Sequence, residues 1–92
     1  MEKMTEEQIE TSLQDLPQWS EVNGVIQRTY QFKDFLGSMD FVQKIAAMAE
    51  ERQHHPDILV RYNKVTLTLS THDAGGITDK DFDFASAADV VK

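Results

Sequence analysis

The sequence predicts an α+β domain: a four-stranded antiparallel sheet covered on one face by helices, in the order α-β-β-α-β-β-α. Three observations carry this expectation. Asn23-Gly24 and Asn63-Lys64 each separate two short apolar runs, the pattern of a hairpin. A long stretch with apolar residues three and four apart lies between these hairpins, and a shorter one flanks each end. Finally, 92 residues suffice for one sheet and one helical layer but not two cores, so residues 1–92 read as a single domain.

The first helix is expected over 5–16. Thr5 is its N-cap, acidic residues fill the first turn, Ile9, Leu13 and Leu16 form one stripe, and Pro17 ends it. Strands at 19–22 and 25–32 flank Asn23-Gly24. In the second, Ile26, Tyr30 and Phe32 share a face that Arg28 interrupts, with Trp19 offering a ring for a cation–π contact. Asp34 or Ser38 then caps a helix reaching about Arg52. Its expected inner stripe is Phe35, Met39, Val42, Ile45, Ala46 and Ala49, with Lys44 and Glu51 off that face. Pro56 limits its end, because the residue before a proline is pushed out of the α region; His55 is therefore extended, and His54 sits at the helix exit.

The second hairpin joins 57–62 to the strictly alternating 65–71. A two-residue turn at Asn63-Lys64 places Tyr62 opposite Val65, Val60 opposite Leu67 and Ile58 opposite Leu69, all on one apolar face. The same register carries His55 opposite His72 on the polar face. The chain has three histidines, and this register gathers all of them at one end of the sheet. Beyond His72, Asp73 to Ile77 form a loop containing two glycines. Thr78-Asp79-Lys80-Asp81 opens the last helix, whose inner stripe is Phe82, Ala85, Ala88 and Val91.

Composition narrows the function classes. Nine Lys and Arg among sixteen Asp and Glu give a net charge of −7, which supplies no basic face for a phosphate backbone. Nucleic acid is not an expected direct partner. No stretch approaches the ~18 apolar residues of a membrane span, the N-terminus has no leader pattern, and a cytoplasmic location is the expectation. The absence of cysteine removes disulfides, thiolate nucleophiles and Cys-type zinc sites. Ser70 has no nucleophile elbow around it.

What remains is acid–base chemistry. Histidine, with an ordinary pKa of ~6.5, both gives and takes a proton near neutrality. Two carboxylates are placed to orient an imidazole: Glu50, four residues before His54, and Asp81, at the start of the helix after the His72 loop. Each also has a plainer reading, Glu50 as a solvated helix residue and Asp81 as an acid favoured by a helix N-terminus. Glu50, His54, His55, His72 and Asp81 are equally acceptable zinc or iron ligands, which makes a metal site the rival reading. Against it, adjacent extended residues point to opposite sides, and the spacing matches neither HExxH nor a Cys/His motif.

The motif Glu50-Glu51-Arg52-Gln53-His54-His55-Pro56, followed by Tyr62-Asn63-Lys64-Val65, Ser70-Thr71-His72 and Asp81, resembles the pterin-4a-carbinolamine dehydratase family. Phe32-Lys33-Asp34-Phe35 agrees, and the similarity covers about Trp19 to Ala85. The resemblance implies loss of water from a 4a-hydroxytetrahydropterin to give the quinonoid dihydropterin in tetrahydrobiopterin recycling, without cofactor or metal. It implies His54 and His72 as the acid–base pair, Glu50 and Asp81 as their supports, and His55 with Pro56 as pterin-binding residues. Thr71, His72, Asp73 and Ala74 would line the pocket through their backbone. It also implies a homo-oligomer, dimer or tetramer. The alternative within the same fold is a non-catalytic interaction or dimerisation module.

Overall fold

The computed structural model describes residues 2–92. Each helix starts where a side chain can satisfy otherwise free N–H groups. Thr5 caps α1 (Glu6–Leu13) in a capping box with Gln8, and Asp34 caps α2 (Phe35–Arg52) by accepting from the Gly37 N–H. Thr78 caps α3 (Asp79–Val91), with Asp81 closing a second capping box. Four strands, β1 (Ser20–Val22), β2 (Val25–Gln31), β3 (Asp57–Arg61) and β4 (Lys64–Leu69), form one antiparallel sheet in the order β1-β2-β4-β3. Asn23 and Gly24 both take positive φ, 49° and 85°, so the first hairpin turns where the sequence places it. The α+β class and the element order are as expected.

One sheet face is covered. Ile26 and Tyr30 of β2 and Val65, Leu67 and Leu69 of β4 are buried on it, in one core with Phe41, Ile45 and Ala49 of α2 and Phe84, Ala85 and Ala88 of α3. On the opposite face the Thr29 and Thr66 hydroxyls hydrogen-bond each other at 2.7 Å.

Four local expectations are corrected. First, α1 stops at Leu13, and Leu16 follows in turns that close on Leu13 O. Second, α2 is rotated about its axis. Its buried positions are Ser38, Phe41, Ile45 and Ala49, while Phe35 stays 48% exposed and Ala46 is also exposed. The reason is tertiary: the Phe41 ring docks 4.6 Å from Tyr30 and 5.1 Å from Phe32, and that aromatic contact sets the face. Third, Arg28 lies over Tyr30, 4.2 Å from the ring centroid, and not over Trp19; it pairs with Asp89 at 2.8 Å.

The fourth correction bears on the site. The β3–β4 turn is Tyr62-Asn63, so Val60 faces Val65 and Ile58 faces Leu67, a register displaced by two residues. Tyr62 takes φ 52° and is exposed, while Asn63 continues the ladder beside β2: Phe32 N–H donates to Asn63 O at 2.7 Å and Asn63 Nδ2 donates to Phe32 O at 3.2 Å. Because a strand repeats every two residues, a shift of two keeps Ile58 and Val60 on the same side. It does not keep His55 opposite His72. β4 ends at Leu69, and His72 lies in a 3₁₀ turn (His72–Ala74) set off by a bridge between Thr71 and Gly76.

Candidate active site

The site begins with the way α2 stops. Gln53 adopts a left-handed conformation (φ 52°, ψ 44°), so the helix ends at Arg52, ahead of Pro56. His54 N–H then reaches back to Ala49 O at 3.1 Å and Gln53 N–H to Glu50 O at 3.4 Å, a Schellman closure. Gln53 Nε2 adds a bond to Glu50 O at 2.7 Å, which helps a non-glycine residue hold a position that glycine ordinarily takes. The closure redirects the chain, and His54 turns inward towards α3 instead of extending the helical face of Glu50.

There the His54 Nε2 meets Asp81 Oδ1 at 2.5 Å. Both groups are buried, His54 at 8% exposure and Asp81 at 0%. A carboxylate so deep must fill its acceptor sites to offset the loss of water. Asp81 Oδ2 does so by accepting from Thr71 Oγ1 and from the Thr78 N–H, each at 2.9 Å. The Thr71 hydrogen is thereby used, so across the 2.6 Å contact Thr78 Oγ1 donates to Thr71 Oγ1. Thr78 Oγ1 in turn accepts from the Lys80 N–H at 3.2 Å. Every donor in this chain points at Asp81. With the carboxylate ionised, the imidazole proton therefore sits on Nε2. Among the described residues the His54 Nδ1 has no protein partner, and it is the nitrogen left to exchange a proton with a ligand. The Phe84 ring stands edge-on to the imidazole, 6.2 Å between centroids, as an apolar wall.

Glu50 goes elsewhere. Its Oε2 meets His55 Nε2 at 2.5 Å, with both side chains mostly exposed. The expectation that Glu50 shares a face with His54 fails because the i,i+4 relation holds only inside the helix, which stops at Arg52. Two separate histidine–carboxylate pairs result, one buried and one open.

Beside the buried pair is a cavity of about 260 Å³ walled by Thr71, Asp73, Ala74 and Lys80. Three of these four are residues assigned to the pocket from the sequence. His54, His55, Pro56 and His72 are not in its wall; His54 connects to it through Asp81 and Thr71. His72 is exposed and follows Thr71 directly, ~3.8 Å along the Cα trace. The strand pairing expected for His55 and His72 is absent; His72 follows Thr71, whose hydroxyl bonds the Asp81 that meets His54. Lys80, which sequence reasoning passed over, lines the cavity and donates from Nζ to Gln53 O at 3.3 Å, tying the end of α2 to the start of α3. Its signal was its place in the capping box, next to Asp81. A larger hollow of about 440 Å³ runs along Lys3, Glu7, Thr11 and Asp79 and contains no histidine. Among the described residues no group of three or more His, Asp or Glu side chains is arranged to hold a metal ion, and no helix is long and apolar enough to cross a membrane.

The chain is thus a small α+β domain in which a buried carboxylate meets a histidine next to the wall of an open cavity. The sequence profile described as "Pterin 4 alpha carbinolamine dehydratase" matches residues 2–91. The chain belongs to the pterin-4-alpha-carbinolamine dehydratase family. Relatives provisionally given that name include a Picosynechococcus protein, 49% identical over 87 residues (95% of each chain), and a Sulfolobus acidocaldarius protein, 46% identical over 83 residues (90% of this chain and 91% of that one). A Brucella melitensis crystal structure titled transcriptional coactivator/pterin dehydratase superposes with a TM-score of 0.93 at 33% identity, covering 97% of both chains. A pterin dehydratase-like protein described as a RuBisCO assembly factor in the alpha-carboxysome shares the fold, with a TM-score of 0.66 at 22% identity over 79% of this chain and 84% of that one.

Proposed function

We propose that the protein is a dehydratase that removes water from a 4a-hydroxytetrahydropterin, yielding the quinonoid dihydropterin in tetrahydrobiopterin recycling. The observation that carries this reading is the buried His54–Asp81 pair, backed by Thr71 and Thr78, at the edge of the cavity. The reaction breaks the C4a–O bond and the N5–H bond and forms a C4a=N5 double bond, so one group protonates the departing hydroxyl and another takes the N5 proton. His54 and His72 are assigned to these two roles. Asp81 holds His54 with Nδ1 presented and stabilises the imidazolium when the ring is protonated. His55, steadied by Glu50, positions the pterin. Pro56 and the segment Thr71, His72, Asp73 and Ala74 complete the binding site, the latter through the backbone around the 3₁₀ turn. Acid–base catalysis of this kind typically gives ~10²–10⁴-fold, which suits a carbinolamine already prone to dehydrate.

The reading includes no cofactor, a cytoplasmic location and a homo-oligomer. The edge strand β3 supports the last: Ile58 is 37%, Leu59 55% and the adjoining Tyr62 65% exposed, an apolar edge of the kind natural sheets cover. The activity test is turnover of a freshly generated 4a-hydroxytetrahydropterin, before and after exhaustive chelation. The reading expects acceleration over buffer in both. No acceleration defeats it, and activity lost on chelation and restored by one particular metal defeats the metal-free mechanism.

A further inference from the structure

A part-buried acid, Asp89, sits further along α3 and is absent from the chemistry above. Asp89 accepts from Trp19 Nε1 at 3.1 and 3.2 Å, from Arg28 Nη1 at 2.8 Å, and from the Tyr30 hydroxyl in a short contact. Trp19 leads into β1, and Arg28 and Tyr30 belong to β2, so one carboxylate fastens the last turns of α3 to the first hairpin. Burial, followed by the bond to Asp89, pushes the Tyr30 hydroxyl pKa well above its ordinary range. The proton therefore stays on Tyr30. The attachment is built to hold.

The helix between the two acids explains why holding matters. Ala85 and Ala88, both fully buried, face the core between Asp81 and Asp89. Phe82 and Phe84, also buried, pack at the Asp81 end, whereas the buried face beyond them is alanine; side chains that small give few knobs to hold the later turns, and apolar contact is non-directional. Hydrogen bonds to charged groups are directional and fix both. Eight residues of helix, ~12 Å, separate Asp89 from Asp81, which holds His54 at the other end.

We propose that Asp89 is a positioning residue: by fixing the axial and rotational setting of α3 against the first hairpin, it sets the Asp81 carboxylate that orients His54. This rests on the reading of His54 as an acid–base group, and its test includes a readout independent of turnover. In folded Asp89→Asn, one of the three donors meets an amide N–H₂ and the guanidinium loses its counter-charge. The expected result is kcat lowered ~10-fold with KM within about twofold, the scale of a sub-ångström misplacement at the chemistry. The His54 Nε2–H proton resonance, held between the ring and Asp81, should move and exchange with water faster. Tyr30→Phe, which removes one bond and keeps the ring, should do both to a lesser degree and serves as the test should Asp89→Asn not fold. Val90→Ala, at an 83% exposed neighbour, should do neither. An unmoved His54 resonance in Asp89→Asn, or in Tyr30→Phe if that is the variant that folds, overturns the inference whatever the kinetics. A moved resonance in a protein without dehydratase turnover upholds the coupling and defeats the proposed function instead.

Discussion

The two ends of α3 solve the same problem with different partners. Asp81, fully buried, and Asp89, part-buried, are each satisfied by three side-chain or backbone groups. At the Asp89 end these are a guanidinium, an indole and a phenol, none of which changes protonation near neutrality. At the Asp81 end they are two neutral donors and an imidazole, the one side chain that ordinarily does. Under the proposed function, similar geometry therefore makes a clamp at one end and a proton-transfer pair at the other. Burial and a satisfied carboxylate do not by themselves mark a site; the titration range of the partner does.

Substitutions at the two ends should separate accordingly. The largest effect is expected at the Asp81 end: His54→Ala, and His72→Ala beside it, should each lower kcat by at least tenfold, within the ~10²–10⁴-fold that such groups contribute. His55→Ala, at the open pair, should act mainly on KM. Unchanged kinetics in both of the first two would remove the acid–base assignment. Arg28→Ala should instead appear in denaturant melts, at about 3 kcal/mol, because it leaves Asp89 without its cation in a part-buried place. Parity of stability with the unsubstituted protein would show that the clamp does not hold the hairpin. Thr71→Val keeps the shape of the donor chain but deprives Asp81 Oδ2 of a bond. A loss of about 1–3 kcal/mol is expected, together with lower kcat.

A subtler contrast is pH dependence. Because Tyr30 has a raised pKa in the folded state, its contribution to stability is full below the ordinary phenol value of ~10 and is lost as pH rises above it. Stability should therefore fall more steeply above pH ~10 in the unsubstituted protein than in Tyr30→Phe, as measured by urea titration at successive pH values. Equal slopes would contradict the buried phenol–carboxylate bond. The smallest effect is expected away from both acids. The Ser38 hydroxyl is buried on α2 without a partner, so Ser38→Ala should raise stability by about 1 kcal/mol.

What could be read in the sequence follows the range of the interactions involved. Thr5, Thr78 and Asn23-Gly24 act within a few residues, and the helix starts and the first turn fall where they place them. The four-strand pattern and the place of Asp81 at the start of α3 were legible for a similar reason: strand alternation and a capping box carry them, whereas Thr71, Asp73 and Ala74 as pocket residues came from the family resemblance alone. Gln53 was not, since the left-handed closure there lacks the glycine that usually announces it, and with it went the true partner of Glu50. The β3–β4 register slipped by two because Tyr62 accepts a positive φ and Asn63 is held by Phe32, a strand away. The clamp was half visible. Arg28 interrupts an apolar face, and Asp89 falls at helical spacing from Phe82 and Ala85, but nothing local joins two residues 61 positions apart.

The central claim concerns the buried pair, and stopped-flow decay of a 4a-hydroxytetrahydropterin tests it most directly. Three traces suffice: buffer alone, the unsubstituted protein and His54→Ala. The account predicts that the protein accelerates decay well beyond buffer and that His54→Ala forfeits at least ~tenfold of that acceleration. Decay no faster than in buffer, or a His54→Ala trace that overlays the unsubstituted protein, would contradict it.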